Sequence, residues 1–392
     1  MMPRTALIAG GGIGGLSAAL SLSKAGIEVE VYEQAGEFGE VGAGIQLSPN
    51  CTRVLFHVGL EDALRSIAFT PEGVEMRDWR SGRVLSTSPL GETALKAYGY
   101  PYFHVHRADL LTVLAAAAEN DPKISLNTNA AAEDVGQEAT GAWLDSGGLR
   151  HRADFVVGAD GIKSVVRVAL FGADEPVFTG NIAWRALVPV ERLPPGLVRP
   201  MATAWWGPGK HFVHYFVRGG ELVNCVCVVE KQGWDIESWT ERGEFDELKE
   251  DFSGWHEGLQ MLIDNVDRES LFKWALYDRP PMQKWSDARI TLLGDACHPT
   301  LPFMAQGAAM AIEDGAVLAH CVSDSQGDVA AQLQTYEDLR RKRTAGVQLG
   351  SRRNARIFHM SGIKAWVRNR ALKRAAGARM DSLYRYNALQ PN

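Results

Sequence analysis

A chain of 392 residues exceeds what one ordinary hydrophobic core organises, so two domains sharing one site are expected. With 46% hydrophobic and 22% charged residues the composition is that of a globular protein in water, and a net charge of −6 argues against a general binder of nucleic acid or anionic membrane. The five cysteines (Cys51, Cys225, Cys227, Cys297, Cys321) are odd in number and match no zinc spacing, so reduced thiols and no metal are expected.

At the N-terminus, Met1-Met2-Pro3-Arg4 leads straight into an apolar run without signal-peptide architecture. No segment approaches the ~18 apolar residues of a membrane span, and a cytoplasmic location is expected. Residues 5–9 read as a strand, followed by the turn Gly10-Gly11-Gly12-Ile13-Gly14-Gly15 and an Ala/Leu/Ser-rich helix over 16–25. Gly26 ends that helix, and residues 27–32 alternate as a second strand closed by Glu33. Gly10, Gly12 and Gly15 fill a G-x-G-x-x-G template, with Gly14 in the same turn. In such a unit the first glycine permits the tight turn, the second lets backbone approach a pyrophosphate, and the third lets helix and strand pack closely. Free N–H groups at the helix start suit phosphates, and a carboxylate at Glu33 suits ribose hydroxyls. The unit predicts a Rossmann-type dinucleotide site.

Further along, residues 107–119 read as a helix and 155–157 as a strand ending in Gly158-Ala159-Asp160-Gly161. The middle differs in composition, with eight of eleven tryptophans between Trp184 and Trp285. Alternating runs at 202–206, 211–217 and 222–230, joined by Gly207-Pro208-Gly209 and Gly219-Gly220, predict an antiparallel meander. Residues 290–293 form another apolar strand running into Gly294-Asp295, with a helix over 307–321. Residues 340–380 hold thirteen Lys and Arg and no Asp or Glu. A basic helical tail packed on an acidic body is expected there, with a membrane-surface or partner-docking helix as the alternative.

Two later blocks carry a family resemblance. The run Val156-Val157-Gly158-Ala159-Asp160-Gly161 through Ser164 and Arg167 resembles the Asp-Gly signature of flavoprotein monooxygenases. Leu292-Leu293-Gly294-Asp295-Ala296-Cys297-His298-Pro299, continuing to Gln306-Gly307 and Glu313-Asp314, resembles their Gly-Asp signature. Order and spacing match over at least residues 5–320, and the chain resembles the salicylate hydroxylase, 3-hydroxybenzoate 6-hydroxylase and 6-hydroxynicotinate 3-monooxygenase group of FAD-dependent aromatic hydroxylases. The resemblance implies an α/β fold: a discontinuous FAD-binding domain (1–70, 101–175, 286–350), an inserted, mostly antiparallel substrate domain (71–100, 176–285) and the basic C-terminal segment 351–392. It further implies that Asp295 bonds the ribityl chain, that Gln306-Gly307 face the flavin ring, that Arg107 helps to hold the cofactor, and that Asp160 serves the FAD site and is linked to nicotinamide handling. NADH or NADPH would be a transient co-substrate, and a flavin hydroperoxide would pass one oxygen from O₂ to a ring activated by its hydroxyl group.

On the substrate side, alternation along 211–217 puts His211 and Tyr215 on one strand face and His214 on the other. A histidine with a pKa near neutral can take a phenolic proton. In the hydroxybenzoate and hydroxynicotinate relatives a His and Tyr in this pattern lie at the substrate, so His211 and Tyr215 are the expected acid–base pair, with His298 next in line. Gln46 stands where the hydroxynicotinate enzyme has a histidine, and Pro302 lies in a segment, 299–303, without the His or Gln common in relatives. Both are expected to face the substrate. A flavin-dependent dehydrogenase or halogenase is the alternative within the superfamily, although Trp184-Arg185-Ala186-Leu187-Val188-Pro189 keeps only the first Trp of the halogenase segment. A flavin-binding docking protein with a basic tail is the alternative outside it. The expected partners are a small aromatic substrate, O₂ and NAD(P)H, without nucleic acid or a membrane span, and with a homodimer left open.

Overall fold

The structure, a computed structural model, describes residues 4–39, 43–231, 233, 241–372 and 378–391. Trp234 and Trp239 of the tryptophan-rich stretch, and Lys373, Arg374 and the Arg379 side chain of the basic one, lie outside the described residues.

Two sheets carry the architecture. The first runs in the order Ser286–Asp287, Ile290–Leu292, Phe155–Gly158, Thr5–Ala9, Glu28–Tyr32, Ile124–Asn127, and all its pairs are parallel except that of the short edge strand Ser286–Asp287. Its central strands are buried from both sides, and so they read as continuous apolar runs, Ala6 to Ala9 and Phe155 to Val157. The helices Ile13–Lys24 and Gly307–Val322 pack against each other so closely that a Cβ on Gly315 would come within 2.8 Å of the Ala18 Cα. The first helix begins at Ile13, inside the glycine turn and three residues before the apolar pattern becomes regular.

The second sheet has seven strands in the order Phe272–Asp278, Val177–Pro189, Leu222–Glu230, Lys210–Val217, Met201–Gly207, Gly73–Asp78, Val84–Pro89. Every pair is antiparallel except Met201–Gly207 with Gly73–Asp78. The expected meander is its centre. One face packs Trp184, Phe212, Cys225 and Cys227 against Phe252, Trp255 and Leu259. The other face is the floor of a cavity. A small sheet of Asp134–Gln137, Ala142–Ser146 and Leu149–Ala153 had no counterpart in the sequence reading.

The basic stretch is not a detached tail. It begins within a 30-residue helix, Val329–Phe358, that buries Tyr336, Arg340, Val347 and Ser351, and continues through Gly362–Leu372 and Ala378–Tyr384 back onto the body. Ile363, Trp366 and Val367 are exposed on the middle helix. Among the described residues no helix is long and apolar enough to cross a membrane.

Candidate active site

A cavity of about 1630 Å³ runs from the glycine turn to the floor of the second sheet. At the turn end, Gly10 has φ +100°, and a Cβ there would lie 2.5 Å from the Ala159 carbonyl oxygen. A Cβ on Gly15 would lie 1.9 Å from the Gly10 carbonyl oxygen, and one on Gly14 would press on Leu293 and Ala311. Gly12 is different: a Cβ there meets nothing within 4 Å, because the residue faces open cavity at the start of the helix Ile13–Lys24. Three glycines thus serve close packing, and one leaves room for a ligand's phosphates beside unpaired helix N–H groups.

Glu33 closes its strand at the cavity wall and accepts from the Gly11 N–H (2.7 Å) and the Ala35 N–H (2.8 Å), which fixes its carboxylate. Arg107 begins the helix Arg107–Glu119 and faces Asp295 electrostatically across the cavity. The Asp295 side chain opens into the cavity from deep inside the molecule: burial pushes its carboxyl up, and His298 and Arg107 pull it down. Asp160 also lines the cavity, but its oxygens accept from the Ser164 hydroxyl (2.5 Å) and from the N–H groups of Val165 and Val166, so it builds the turn into the helix Val165–Phe171.

Gln306 is buried and fully engaged: its amide donates to the Ser48 hydroxyl (2.9 Å) and accepts from Asn50 (3.1 Å). It thereby clamps the start of the helix Gly307–Val322, whose first turn carries no acidic residue and borders the cavity. Ala305, just before it, is held at φ +51°. Behind this helix, Asp314 bonds His298 (2.6 Å), the Gly294 N–H (3.0 Å) and Arg340 (2.7 Å), while Glu313 pairs with Arg340 and Arg343. His298 is therefore a buried tie of the Gly-Asp turn, not a cavity residue, and its candidacy as a base falls.

The floor follows from sheet register. Arg185, Val226, Val213, Ala204, Met76 and Ser86 are successive partners across five strand pairs, and all six line the cavity. The row is apolar in the middle with the Arg185 guanidinium at one end. His211 and Tyr215 flank Val213 along its strand, one on either side, and both face the cavity. His214 points the other way, where its ring accepts from the Trp205 Nε1–H at 3.0 Å. The strand faces are as expected; the protonation behaviour is not. Burial, with His359 adding to it, holds His211 well below the usual imidazole range, so its ring is neutral. Burial pushes Tyr215 above the usual phenol range, and this residue remains a hydroxyl donor. Gln46 hydrogen-bonds Tyr215 and accepts from the Tyr102 hydroxyl at 2.5 Å, and it lines the cavity with Pro302. Gly44 permits this junction: a Cβ there would strike Asn224 and the Tyr215 ring at 2.6–2.7 Å.

Four residues escaped the sequence reading. Arg185 was legible from strand alternation, since it falls on the face opposite the core residue Trp184. Burial pulls its guanidinium down to about 10, which leaves it cationic at neutral pH, and it lies 4.7 Å from the centre of the Trp274 ring. His359, Glu230 and Arg353 carried no local signal. Only the return of the chain along Val329–Phe358 brings His359 Nε2 to within 2.9 Å of His211 Nδ1, and Arg353 and Phe358 to the cavity wall.

A family model described as an FAD binding domain matches residues 4–349. The chain is 38% identical to the 3-hydroxybenzoate 6-hydroxylase of Polaromonas naphthalenivorans over 97% of this chain and 96% of that one. It is 39% identical to the 6-hydroxynicotinate 3-monooxygenase of Pseudomonas fluorescens, covering 88% and 89%. The structure superposes on HpxO of Klebsiella pneumoniae, solved with FAD and uric acid, with a TM-score of 0.87 at 26% identity over 99% and 97% of the two chains. The open ground before Gly12, the bare helix starts and the Arg107–Asp295 pair fit FAD, and the chain belongs to the family of FAD-dependent aromatic hydroxylases.

Proposed function

We propose that this protein hydroxylates a small aromatic acid bearing a ring hydroxyl, of the hydroxybenzoate or hydroxynicotinate kind, with NADH or NADPH as transient reductant and O₂ as oxygen source. The observation that carries the substrate class is the charge of the cavity. Its acidic lining residues, Glu33, Asp160 and Asp295, all sit at the dinucleotide end, whereas the sheet floor and the wall above it carry Arg185 and Arg353. Among the described residues no carboxylate lines that half, so a bound carboxylate finds attraction without repulsion.

Bound FAD supplies the oxygen-transfer chemistry; the chain supplies binding, orientation and proton control. The ring lies on Val226, Val213, Ala204 and Met76, and its carboxylate reaches Arg185. Residues four apart on a strand are about 13 Å apart. His211 and Tyr215 thus hold different edges of the substrate: His211 Nε2 accepts from the ring hydroxyl, and Tyr215, fixed by Gln46, donates to a second polar group. The apolar surround of Phe303 and Phe358 keeps water from the reacting face. Gly12 and the helix start at Ile13 would hold the pyrophosphate, Glu33 the ribose, Arg107 and Asp295 the ribityl end, and the backbone at Gln306-Gly307 the ring, while Asp160 shapes the same wall.

The test is a panel of 3-hydroxybenzoate, 6-hydroxynicotinate, 3-amino-4-hydroxybenzoate, salicylate and their decarboxylated analogues, scored for NAD(P)H oxidation and for product mass. The expected result is an acid that gains one oxygen atom, with loss of CO₂ where the new hydroxyl enters at the carboxylate-bearing carbon, and little turnover of the analogue lacking the carboxylate. Stimulation by the neutral phenols alone would overturn the assignment.

A further inference from the structure

Taking the phenolic proton creates a difficulty at His211. The ring is buried, it lies against Phe303 and Phe358, and the surroundings that keep it neutral also oppose an imidazolium. A proton delivered there must move on as it arrives.

The structure contains a path. His211 Nδ1 lies 2.9 Å from His359 Nε2, and His359 Nδ1 lies 2.8 Å from Glu230 Oε1. The His359 side chain is 2% exposed and that of Glu230 56%, so the chain of three runs from the cavity to solvent. The order of bonds fixes the tautomers. A carboxylate only accepts, so His359 carries its proton on Nδ1 and presents a lone pair at Nε2. His211 must then carry its proton on Nδ1, which leaves Nε2 as the acceptor. Among the described residues Nε2 has no protein partner, and His211 lines the cavity. The charged groups facing the pair are Glu230 from the sheet and, from the following helix, Arg368, whose guanidinium donates to the carbonyls of Ile357 and Phe358. The Gly209 N–H donates to the His359 carbonyl at 3.1 Å, which pins the turn in place.

We propose that His359 and Glu230 are the proton exit of the hydroxylation site, orienting His211 and passing the substrate's phenolic proton to solvent. The inference rests on the role given to His211 above. The substrate O–H proton bonds to His211 Nε2, the His211 Nδ1 proton to His359 Nε2, and the His359 Nδ1 proton to the Glu230 carboxylate. No heavy-atom bond or electron pair changes owner. Reprotonation of the product through the same path resets both rings. His359 and Glu230 are positioning residues, since neither touches the substrate.

Glu230→Gln separates transfer from structure, because the amide oxygen still accepts from His359 but the amide cannot take the proton onward. In ¹⁵N-histidine NMR of the holoenzyme, assigned with His211→Asn and His359→Asn, both rings should be neutral and Nδ1-protonated in wild type and in Glu230→Gln. With the best acid of the panel, Glu230→Gln should form product about tenfold more slowly at neutral pH and recover at alkaline pH, where the substrate arrives ionised. Glu230→Leu should lose the tautomer order as well. An Nε2-protonated His211, or a Glu230→Gln enzyme with the wild-type rate and pH profile, would overturn the exit path while leaving the proposed reaction intact. A harmless His211→Ala would instead remove the reading on which the path rests.

Discussion

A Cβ placed on Gly15 would lie 1.9 Å from the carbonyl oxygen of Gly10, whereas one placed on Gly12 would touch nothing. The two glycines of one motif therefore fail differently when replaced. Gly15→Ala forces the turn apart and should destabilise the protein whether or not FAD is bound. Gly12 has φ −73°, a conformation open to any residue, so Gly12→Ala should keep the apo melting temperature and lose FAD on dilution. Melting curves with and without added FAD separate the two outcomes, and equal apo stability of both variants would contradict this division of roles.

Sequence made the dinucleotide end legible because its chemistry is local: a turn, a helix start and a carboxylate within ~30 residues. Glu33 and Gly12 needed no fold to be found. At Gln306-Gly307 the helix start borders the cavity, while the Gln306 side chain is spent on Ser48 and Asn50, which lie more than 250 positions away in the sequence. The shared face of His211 and Tyr215 is legible from period-2 alternation, but the burial that keeps one ring neutral and the other hydroxyl protonated comes from distant segments. The His359–Glu230 pair spans 129 positions, and no local pattern encodes it.

Asp295 is a carboxylate that opens into the cavity with Arg107, and a charge-assisted hydrogen bond from it to the ribityl chain would contribute ~1.5–3 kcal/mol. Asp295→Ala should weaken FAD roughly ten- to hundredfold. Fluorescence titration of the apoprotein measures it, and unchanged affinity would remove Asp295 from the cofactor site.

The Asp314 carboxyl gives a pH dependence of defined sign. Burial alone would raise it, but His298 and Arg340 outweigh burial and hold it at about 2. Its folded value lies below the ~3.9 of an unfolded aspartate, so the stabilisation is complete above about pH 4 and is lost as pH falls towards 2, roughly 2–3 kcal/mol in all. Denaturant melts of the wild type should show that loss. Removing Arg340, which is fully buried between Asp314 and Glu313, should cost ~3–5 kcal/mol at neutral pH. An Arg340→Ala protein with wild-type stability would show that the cluster is not a coupled unit.

Arg185 makes the claim about the substrate's carboxylate specific. Arg185→Met keeps the length of the chain and its packing beside Trp274 but removes the charge. Affinity for the best aromatic acid should fall roughly ten- to hundredfold, the range of a charge-assisted bond, while its decarboxylated analogue binds as before. Equal losses for both would mean that Arg185 holds the floor and not the ligand.

The final prediction concerns the three polar residues of one strand. His211 faces the cavity with its Nε2 open, Tyr215 faces it as a donor, and His214 is buried on the opposite face against Trp205. Positioned general bases contribute about 10²–10⁴-fold, so His211→Ala should lower product formation within that range. FAD content should stay normal, because the strand stands apart from the glycine turn. Substrate can still stimulate NAD(P)H oxidation in this variant, with the oxygen then appearing as H₂O₂. Tyr215→Phe keeps the ring packed against Gly44 and removes one donor, so it should affect substrate affinity before rate. His214→Ala strips the Trp205 N–H of its acceptor and should cost ~1–3 kcal/mol of stability, yet leave product per NAD(P)H unchanged at a temperature where it is folded. Product and peroxide per NAD(P)H, measured for all three, decide the matter. If His214→Ala uncouples the enzyme while His211→Ala and Tyr215→Phe do not, the strand presents the opposite face to the substrate, and Arg185, which lies in register with Val213 through Val226, leaves the substrate site with it.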